Sequence, residues 1–308
     1  MPDLALVHLV RKENGPEPFR KFLESYRAVD AGADHDLVLL LKGFGSEREA
    51  DEAAALAGGL DAHRLYVDDE GFDVGAYFTA ADRVEHARLC FVNSFTTVRA
   101  PGWLGLLESA LRVPDAGIAG ATGSWASHWS WLRFNLGLST PYREAFPDRA
   151  WAQAQVLRLT PDTRRVLAPL WLRHGIGTAR ALRFFVGRFG PFPAAHVRTN
   201  GFLVERELMR TLERTRIRRK FDAFVVEGGK RSLTGQILEL GLRPLLAGAD
   251  GRVYDVPDWA RSGVFWQRGQ ENVLLEDNQT RTYRDADLDL RTYFATFAWG
   301  TEAEPTVY

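Results

Sequence analysis

Short apolar runs alternate with segments of helical periodicity from residue 4 to residue 121. A continuous apolar run of about four to eight residues predicts a strand buried on both faces, whereas apolar residues three and four apart predict an amphipathic helix. Strands are predicted at Leu4 to Val10, Asp36 to Leu41, Arg64 to Val67, Leu89 to Val92 and Ala116 to Ala121. Strands that alternate with helices predict an α/β fold with a doubly wound, mostly parallel, Rossmann-like sheet.

The pattern changes after Gly123, and residues 124 to 195 are dense in aromatic residues and arginine with helical spacing. On a helical wheel Leu167, Trp171, Leu182, Phe185 and Phe189 fall on one side, and Arg173, Arg180, Arg183 and Arg188 on the other. One interpretation is a pair of amphipathic helices packed on the sheet. The other is a surface for anionic lipid or an anionic lipid-linked acceptor.

Sheet-like character returns near Val197. We predict strands at Thr199 to Val204, Phe221 to Val226 and Leu242 to Leu246, and helices at Glu205 to Leu212 and Leu233 to Leu240. The tail from residue 250 mixes aromatic and polar residues and is predicted to be an ordered, irregular extension. The expected units are therefore a first half at 1–123, a helical insertion at 124–195, and a second half with the extension at 196–308.

Composition excludes several classes of protein. The chain has 39 basic and 40 acidic residues, which gives no electrostatic argument for a nucleic-acid partner. Cys90 is the single cysteine, so no intrachain disulfide forms, and its apolar neighbours predict a small buried side chain. The first apolar run is only strand-length, and none approaches a membrane span. We expect a cytoplasmic protein, with the arginine-rich insertion as the candidate for contact with the inner face of the membrane.

Four polar loops follow predicted strands and should meet at one edge of a parallel sheet, where such folds bind ligands. The third loop contains Asp69-Glu70-Gly71-Phe72-Asp73-Val74-Gly75, and the fourth contains Asn93-Ser94-Phe95. Glycines let a main chain approach a ligand closely, and a helix N-terminus favours phosphate. An ordinary strand-to-helix turn also uses Gly and Asp, so both interpretations of the third loop stay open.

Three segments carry a resemblance to bacterial family 2-type glycosyltransferases of the GT-A fold. Leu89 to Leu104 resembles that family's strand ending in Leu-Asn-x-Asp-Thr, followed by Pro-Gly-Trp-Leu. The segment Asp69 to Gly75 resembles Asn-x-Gly-Phe-x-x-Gly, and Asn200 to Glu207 resembles Ser-Gly-Ala-x-x-x-x-Arg-Arg. The resemblance covers about residues 4 to 123 and 196 to 247.

The resemblance implies transfer of a sugar from a UDP-, GDP- or dTDP-linked donor to a glycan or lipid-linked acceptor, as in polysaccharide biosynthesis. The donor-binding residues that it and the loop positions suggest are Arg11, Lys42, Asp69, Asp73, Gly75, Asn93, Ser94, Asn200, Gly201 and Arg231. This chain departs from the family where Phe95 stands in place of a metal-binding Asp of the DxD motif. That departure weakens the expectation of Mn²⁺ or Mg²⁺ and leaves the metal ligands unassigned.

Glu227 stands where the family has the carboxylate that deprotonates the acceptor hydroxyl in an inverting transfer. The alternative is an acid that stabilises the N-terminus of the helix predicted at Leu233 to Leu240. For the acceptor side, flat side chains that could stack on sugar rings are Trp125, His128, Trp129 and Trp131, with core packing as the alternative for each.

Two other functions remain open. A nucleotidyltransferase has a similar sheet but a glycine-rich basic loop after its first strand, which Arg11 to Gly15 imitates poorly. A catalytically silent binding module with the same fold is favoured by Phe95, whereas Glu227 and the acids of the third loop argue against it. Classical hydrolase and redox motifs are missing from the sequence.

Overall fold

The computed structural model describes residues 2–159, 178–218 and 220–304. The strands are β1 Leu4–Arg11, β2 Asp36–Lys42, β3 Ala62–Val67, β4 Arg88–Val92, β5 Thr97–Val98, β6 Ala116–Gly120, β7 Gly123–Ser124, β8 His196–Val197, β9 Gly201–Glu205, β10 Arg243–Ala247, β11 Val253–Tyr254 and β12 Leu275–Glu276. The α-helices are α1 Pro16–Ala28, α2 Glu47–Ala54, α3 Phe72–Arg83, α4 Trp103–Leu111, α5 His128–Asn135, α6 Tyr142–Ala145, α7 Arg149–Arg158, α8 Thr178–Arg188, α9 Arg206–Thr211, α10 Lys220–Gly228, α11 Leu233–Glu239, α12 Asn278–Arg284 and α13 Leu288–Trp299.

Eight strands form the central sheet in the order β11-β10-β6-β9-β4-β1-β2-β3. Strand β1 pairs in parallel with β2 and β4, β2 with β3, and β6 with β10. Strand β9 lies antiparallel between β4 and β6, and β11 is an antiparallel edge strand. The carboxyl ends of β1, β2, β3 and β4 therefore meet at one edge. The predicted mostly parallel α/β fold is confirmed.

Apolar side chains cover both faces of this sheet. Along β1, Leu4, Leu6 and Val10 join a core with α1 and α4, while the alternate residues face the opposite core beneath α3. Successive side chains of such a strand enter two different cores, so its sequence is a continuous apolar run. This is why the run at residues 4 to 10 predicts a buried strand.

The helical insertion and the C-terminal extension share a third apolar cluster. Trp131 and Phe146 from the insertion pack there with Tyr283, Tyr293 and Phe294 from α12 and α13. The extension is largely irregular up to residue 277, as predicted, and then forms two helices that the sequence pattern did not reveal. The boundaries of the three sequence units remain a prediction.

The strand predicted at Phe221 to Val226 is wrong, because these residues form helix α10. Aromatic and β-branched residues favour strands locally. Here Phe221 packs against the aromatic rings of α8, and Phe224 packs against His128 of α5. Tertiary packing at helical spacing therefore overrides the local preference.

The amphipathic wheel of the insertion is only partly described. Phe185 and Phe189 stack on each other and contact Phe221, whereas Arg183 and Arg188 are exposed, in agreement with that part of the wheel. Leu167, Trp171 and Arg173, with the side chains of Arg180 and Leu182, lie outside the described residues. Among the helices of the described ranges, none has the length and apolarity needed to cross a bilayer.

His8 is a polar residue placed inside the sheet core. Its ring is fully buried and stacks on Phe22 at a centroid distance of 3.6 Å, and neither ring nitrogen has a hydrogen-bond partner in the described part of the chain. Burial lowers the pKa of His8 to about 3. The folded protein therefore holds a neutral histidine that the unfolded chain protonates below about pH 6.5.

We expect His8→Leu to raise the free energy of unfolding by about 1 to 3 kcal/mol at pH 7, because it removes a buried unsatisfied group. The folded-state pKa lies below the unfolded value, so the wild type loses stability as pH falls from about 6.5 toward 3. The advantage of the variant should grow by up to about 1.4 kcal/mol per pH unit over that range.

Urea denaturation at several pH values between 7 and 4.5 measures this difference, with the exposed His63→Gln as the control. A difference between wild type and His8→Leu that stays constant with pH would contradict a buried, neutral His8.

Candidate functional site

Glu227 lies in the last turn of α10 and faces the segment that leads into β9. Its Oε1 accepts hydrogen bonds from the main-chain N–H of Thr199 at 3.1 Å and from the Thr199 hydroxyl at 3.2 Å. The C-terminal end of a helix carries partial negative charge and disfavours a carboxylate. Thr199 therefore compensates an acid that the helix itself does not stabilise.

The alternative role of Glu227 as a helix-capping acid is not what the structure contains. Ser232 caps α11, and its side chain accepts the main-chain N–H of Gly235 at 3.0 Å. Glu227 belongs to the preceding helix, on the far side of Gly228 and Gly229. Since capping is supplied by another residue, the helix-capping explanation of this carboxylate is removed.

Asp73 is the second acid of the site and lies in the first turn of α3. Burial raises its pKa; the charges of Arg11 and Lys42 oppose that rise, and the charge of Glu227 reinforces it. Within the described part of the chain its carboxylate has no hydrogen-bond or ion-pair partner. Two acidic groups of different environment thus interact electrostatically at the carboxyl edge of the sheet.

Two cations from neighbouring strand ends hold the loop after β3. Arg11 forms a two-point contact with Asp69, at 3.0 and 3.2 Å, and also contacts Glu13 at 2.6 Å. Lys42 is fully buried and donates to the carbonyls of Asp68 at 3.0 Å and Glu70 at 2.6 Å. The Arg11 contact lowers the pKa of Asp69, and burial lowers that of Lys42. Lys42, expected to bind the donor directly, instead positions the loop.

The glycine segment of this loop forms a tight start to α3. Gly71 has a φ of 75° and precedes the helix, and a Cβ placed there would lie 2.9 Å from the Cα of Gly75. The main-chain N–H of Gly75 donates to the Gly71 carbonyl at 2.8 Å. The positive φ and this close approach explain Gly71. A Cβ at Gly75 would meet only the Glu70 carbonyl at 3.5 Å, so packing does not require that glycine and its donor-binding role stays a prediction.

The loop after β4 is fixed by hydrogen bonds from both of its ends. The Asn93 side chain accepts from the main chain of Phe95 and from the Thr96 hydroxyl, each at 3.0 Å. The carbonyl of Asn200 in turn accepts from the Asn93 N–H at 3.2 Å and the Thr96 hydroxyl at 2.7 Å. These bonds join Asn93 and Thr96 to the Asn200 main chain, and the donor-binding role of Asn93, Ser94 and Asn200 stays a prediction.

Gly201 has a packing explanation. A Cβ at this position would lie 2.4 Å from a side-chain methyl of Leu275, in the strand β12 that pairs with β5. Its role in donor binding stays a prediction without a contact in its support. Arg231 forms an ion pair with the exposed Glu213, and no described contact connects it with the acids of the site.

The structure adds residues that the sequence did not suggest. The Tyr77 hydroxyl lies 3.4 Å from the Thr199 carbonyl, beneath the two acids. His196 holds its Nδ1 against the Ala194 carbonyl at 2.8 Å; burial lowers its pKa, and the charge of Glu227 opposes that shift. Arg281 of α12 donates to the carbonyl of Phe95 at 3.0 Å. No local pattern singles out these residues, since their partners lie far away in sequence.

A divalent cation does not fit the side chains at the loop after β4. Asn93, Ser94 and Phe95 supply no carboxylate there, and hard cations prefer charged oxygen ligands. In residues 2–159, 178–218 and 220–304, no group of three or more His, Cys, Asp or Glu side chains is arranged to hold a metal ion.

The four acceptor candidates lie in different environments. Trp131 does not have the accessible ring that stacking on a sugar requires. It is 5% exposed and packs against Phe134 and Tyr293, so no ring face is free. Trp129 is half-buried beneath the guanidinium of Arg133. Trp125 contacts Trp299, and His128 packs against aromatic rings in surroundings that lower its pKa to about 4. For these three the acceptor role stays a prediction.

No family model matches the sequence, and no curated protein matches it either. Similar solved structures include the mannosyltransferase PcManGT from Pyrobaculum calidifontis in complex with GDP-Man and Mn²⁺, at 13% identity and TM-score 0.32, over 39% of this chain and 35% of that one. They also include the bifunctional glycosyltransferase WbbM, at 10% identity and TM-score 0.36, over 77% of this chain and 35% of that one. The galactosyltransferase LgtC in complex with donor and acceptor sugar analogues is similar at 9% identity and TM-score 0.35, over 77% of this chain and 64% of that one. The chain spans less than two thirds of each of these structures.

We predict that nucleoside diphosphate binding changes less than about threefold between EDTA and Mn²⁺, because the expected metal loop has no carboxylate. Isothermal titration of UDP and GDP in the two buffers measures this. A loss of affinity of tenfold or more in EDTA would instead indicate that Asp69 or Asp73 holds a metal.

Alanine substitutions of Trp131 and Trp129 should differ in their effect on stability, because Trp131 lies in the core and Trp129 is half-buried. Trp131→Ala should lower the free energy of unfolding by about 3 to 5 kcal/mol, because it empties the third cluster. Trp129→Ala should cost about 1 kcal/mol or less, since its ring is half-exposed and its main contact is one guanidinium. Chemical denaturation of both variants tests this, and equal losses would contradict the assigned packing.

Proposed function

We propose that this protein transfers a sugar from a nucleoside diphosphate donor to a hydroxyl of a glycan or lipid-linked acceptor, with inversion at the anomeric carbon. The observation that carries the proposal is the position of Glu227, which Thr199 holds at the carboxyl edge of the parallel strands beside the hydrogen-bonded loop after β4. That edge is where α/β sheets bind nucleotides. Each of the three sequence segments that resemble family 2-type glycosyltransferases contributes a residue to this edge, namely Asp73, Asn93 and Asn200.

Single-displacement transfer requires a base on the acceptor side. The acceptor oxygen would form a bond with the anomeric carbon as the bond from that carbon to the diphosphate oxygen breaks. Glu227 would take the hydroxyl proton, which suits a carboxylate whose Oε1 alone is occupied by Thr199. The acceptor proton then rests on Glu227, and the negative charge leaves with the diphosphate.

Asp73 suits a different task from that of Glu227. Burial raises its pKa, and it has no partner among the described residues, so it is placed to hydrogen-bond a hydroxyl of the donor.

The donor would lie across the loops bearing Asp69, Asp73 and Ser94, and the acceptor would approach past Trp125, His128 and Trp129. The half-buried state of these three side chains keeps part of each accessible. Contact of the arginine-rich insertion with anionic lipid remains a further prediction for the acceptor side.

A silent binding module is the second candidate, and the observation that favours it is the absence of a carboxylate at Phe95. A module that only binds nucleotide would need no base. The contacts of Thr199 with Glu227 favour the enzyme, since they hold an acid where its own helix disfavours one.

Glu227→Gln separates the two functions. Glutamine retains the oxygen that accepts from Thr199 but cannot take a proton, so turnover should fall about 10²-fold or more, with donor binding little changed. Sugar transfer is measured with UDP-, GDP- and dTDP-linked donors that raise the melting temperature of the protein.

Glu239→Gln, the same change at the end of the next helix, is the control and should leave turnover unchanged. Transfer at a near-normal rate by Glu227→Gln would reject this base and direct the search to Asp250, Asp255 and Asp258. Failure of every common sugar nucleotide to bind at millimolar concentration would reject the proposed function itself.

A further inference from the structure

The cations first considered for the donor's diphosphate are already engaged. Arg11 is bound to Asp69 and Glu13, Lys42 is buried against main-chain carbonyls, and Arg231 is paired with Glu213. None of these contacts touches the loop after β4, where the expected metal ligand is replaced by Phe95. A departing diphosphate still requires positive charge at that loop.

Arg281 brings a guanidinium to that loop from the C-terminal extension. Its Nη2 donates to the Phe95 carbonyl at 3.0 Å, and its Nη1 lies 3.4 Å from the Thr97 hydroxyl. The side chain is 29% exposed. A guanidinium has five N–H donors and remains protonated at all ordinary pH values, so it can hold the loop and bind an anion at the same time.

The position of Arg281 is fixed by a buried ion pair beneath it. Arg198 donates to Asp277 at 2.8 Å, with side chains that are 7% and 1% exposed, and its guanidinium also covers the ring of Phe265. The other oxygen of Asp277 accepts the main-chain N–H groups of Gln279 and Thr280 and so caps α12. The helix therefore starts from the protein interior and presents Arg281 in its first turns.

The carboxylate that pairs with Arg281 is engaged more closely by another arginine. Glu276 lies 3.9 Å from its Nη1, but the same carboxylate forms a closer ion pair with Arg284. Asp277 is neutralised by Arg198. Arg284 also pairs with Asp285 at 3.2 Å. Arg281 therefore makes only the long 3.9 Å contact with Glu276 among the described carboxylates and keeps N–H groups for an anion.

We propose that Arg281 binds the diphosphate of the nucleotide donor, in the place that a metal ion holds in enzymes with an acidic loop. This inference rests on the proposed function. A charge-assisted contact of this kind acts on the diphosphate alone and adds nothing to the binding of the nucleoside. The difference between these two ligands is therefore the quantity to measure.

The experiment compares wild type, Arg281→Gln, Arg281→Lys and the matched control Arg112→Gln in EDTA; Arg112 is an exposed arginine after α4 that pairs with Glu108. Titration calorimetry gives the affinity for UDP, GDP and dTDP, and ligand-observed NMR gives that for the corresponding nucleosides. Arg281→Gln should weaken diphosphate binding about tenfold or more and change nucleoside binding less than about twofold. Arg281→Lys should give an intermediate affinity, and Arg112→Gln should match wild type.

Each other outcome has a distinct meaning. Unchanged diphosphate affinity in Arg281→Gln overturns the assignment of Arg281 and leaves the proposed function intact. Equal losses for nucleoside and diphosphate overturn it too, because they assign Arg281 to the folding of the loop. If wild type binds no nucleoside diphosphate, the proposed function fails, and the inference fails with it.

Discussion

The main-chain carbonyl of Asn200 is the contact on which the site depends. It accepts from Asn93 and Thr96 and so fixes the loop after β4 to the strand that the second half of the chain inserts between β4 and β6. Thr199, one residue earlier, holds Glu227. On the other side of the loop, the Phe95 carbonyl receives Arg281. The acid, the loop and the cation are therefore joined through one short stretch of main chain.

This arrangement depends on an antiparallel strand, β9, inside a mostly parallel sheet. A parallel strand at this position would begin at the opposite edge and carry its preceding residues away from the loops. Because β9 runs antiparallel to β4, the residues just before it lie at the carboxyl edge of β1 to β4. Thr199 and Asn200 reach the site only through that reversal.

The elements that the sequence predicted well are those governed by local pattern. Strands β1, β2 and β4 are buried on both faces, so their composition alone identifies them. Helix α10 was missed because aromatic contacts with α8 decide its structure. Helix α12 has no apolar periodicity, so the pattern does not reveal it. Its capping residue Asp277 is adjacent in sequence, but the partner that holds Asp277 in the interior, Arg198, lies 79 residues away.

The site shows the same division. Glu227 and Asp73 were named from motif positions, and the structure brings them into electrostatic contact. Arg281 and Phe95 are separated by 186 residues, and no periodicity connects them. Lys42 and Trp131 have the side chains that ligand binding uses, but their burial is a property of the packed core and is invisible in the sequence.

Several polar groups in this protein lie in positions that cost stability, and most of them lie at one edge of the sheet. Glu227 lies at the unfavourable end of a helix, Asp73 has no described partner, and the amide nitrogen of Asn200 is buried without one. All three meet at the carboxyl edge, where a ligand could complete them. His8 carries a similar cost deep between β1 and α1, enclosed by Phe19 and Phe22. Because His8 is fully buried, its cost in stability lies away from the proposed site, whereas the cost at the carboxyl edge is the kind that the proposed site would require.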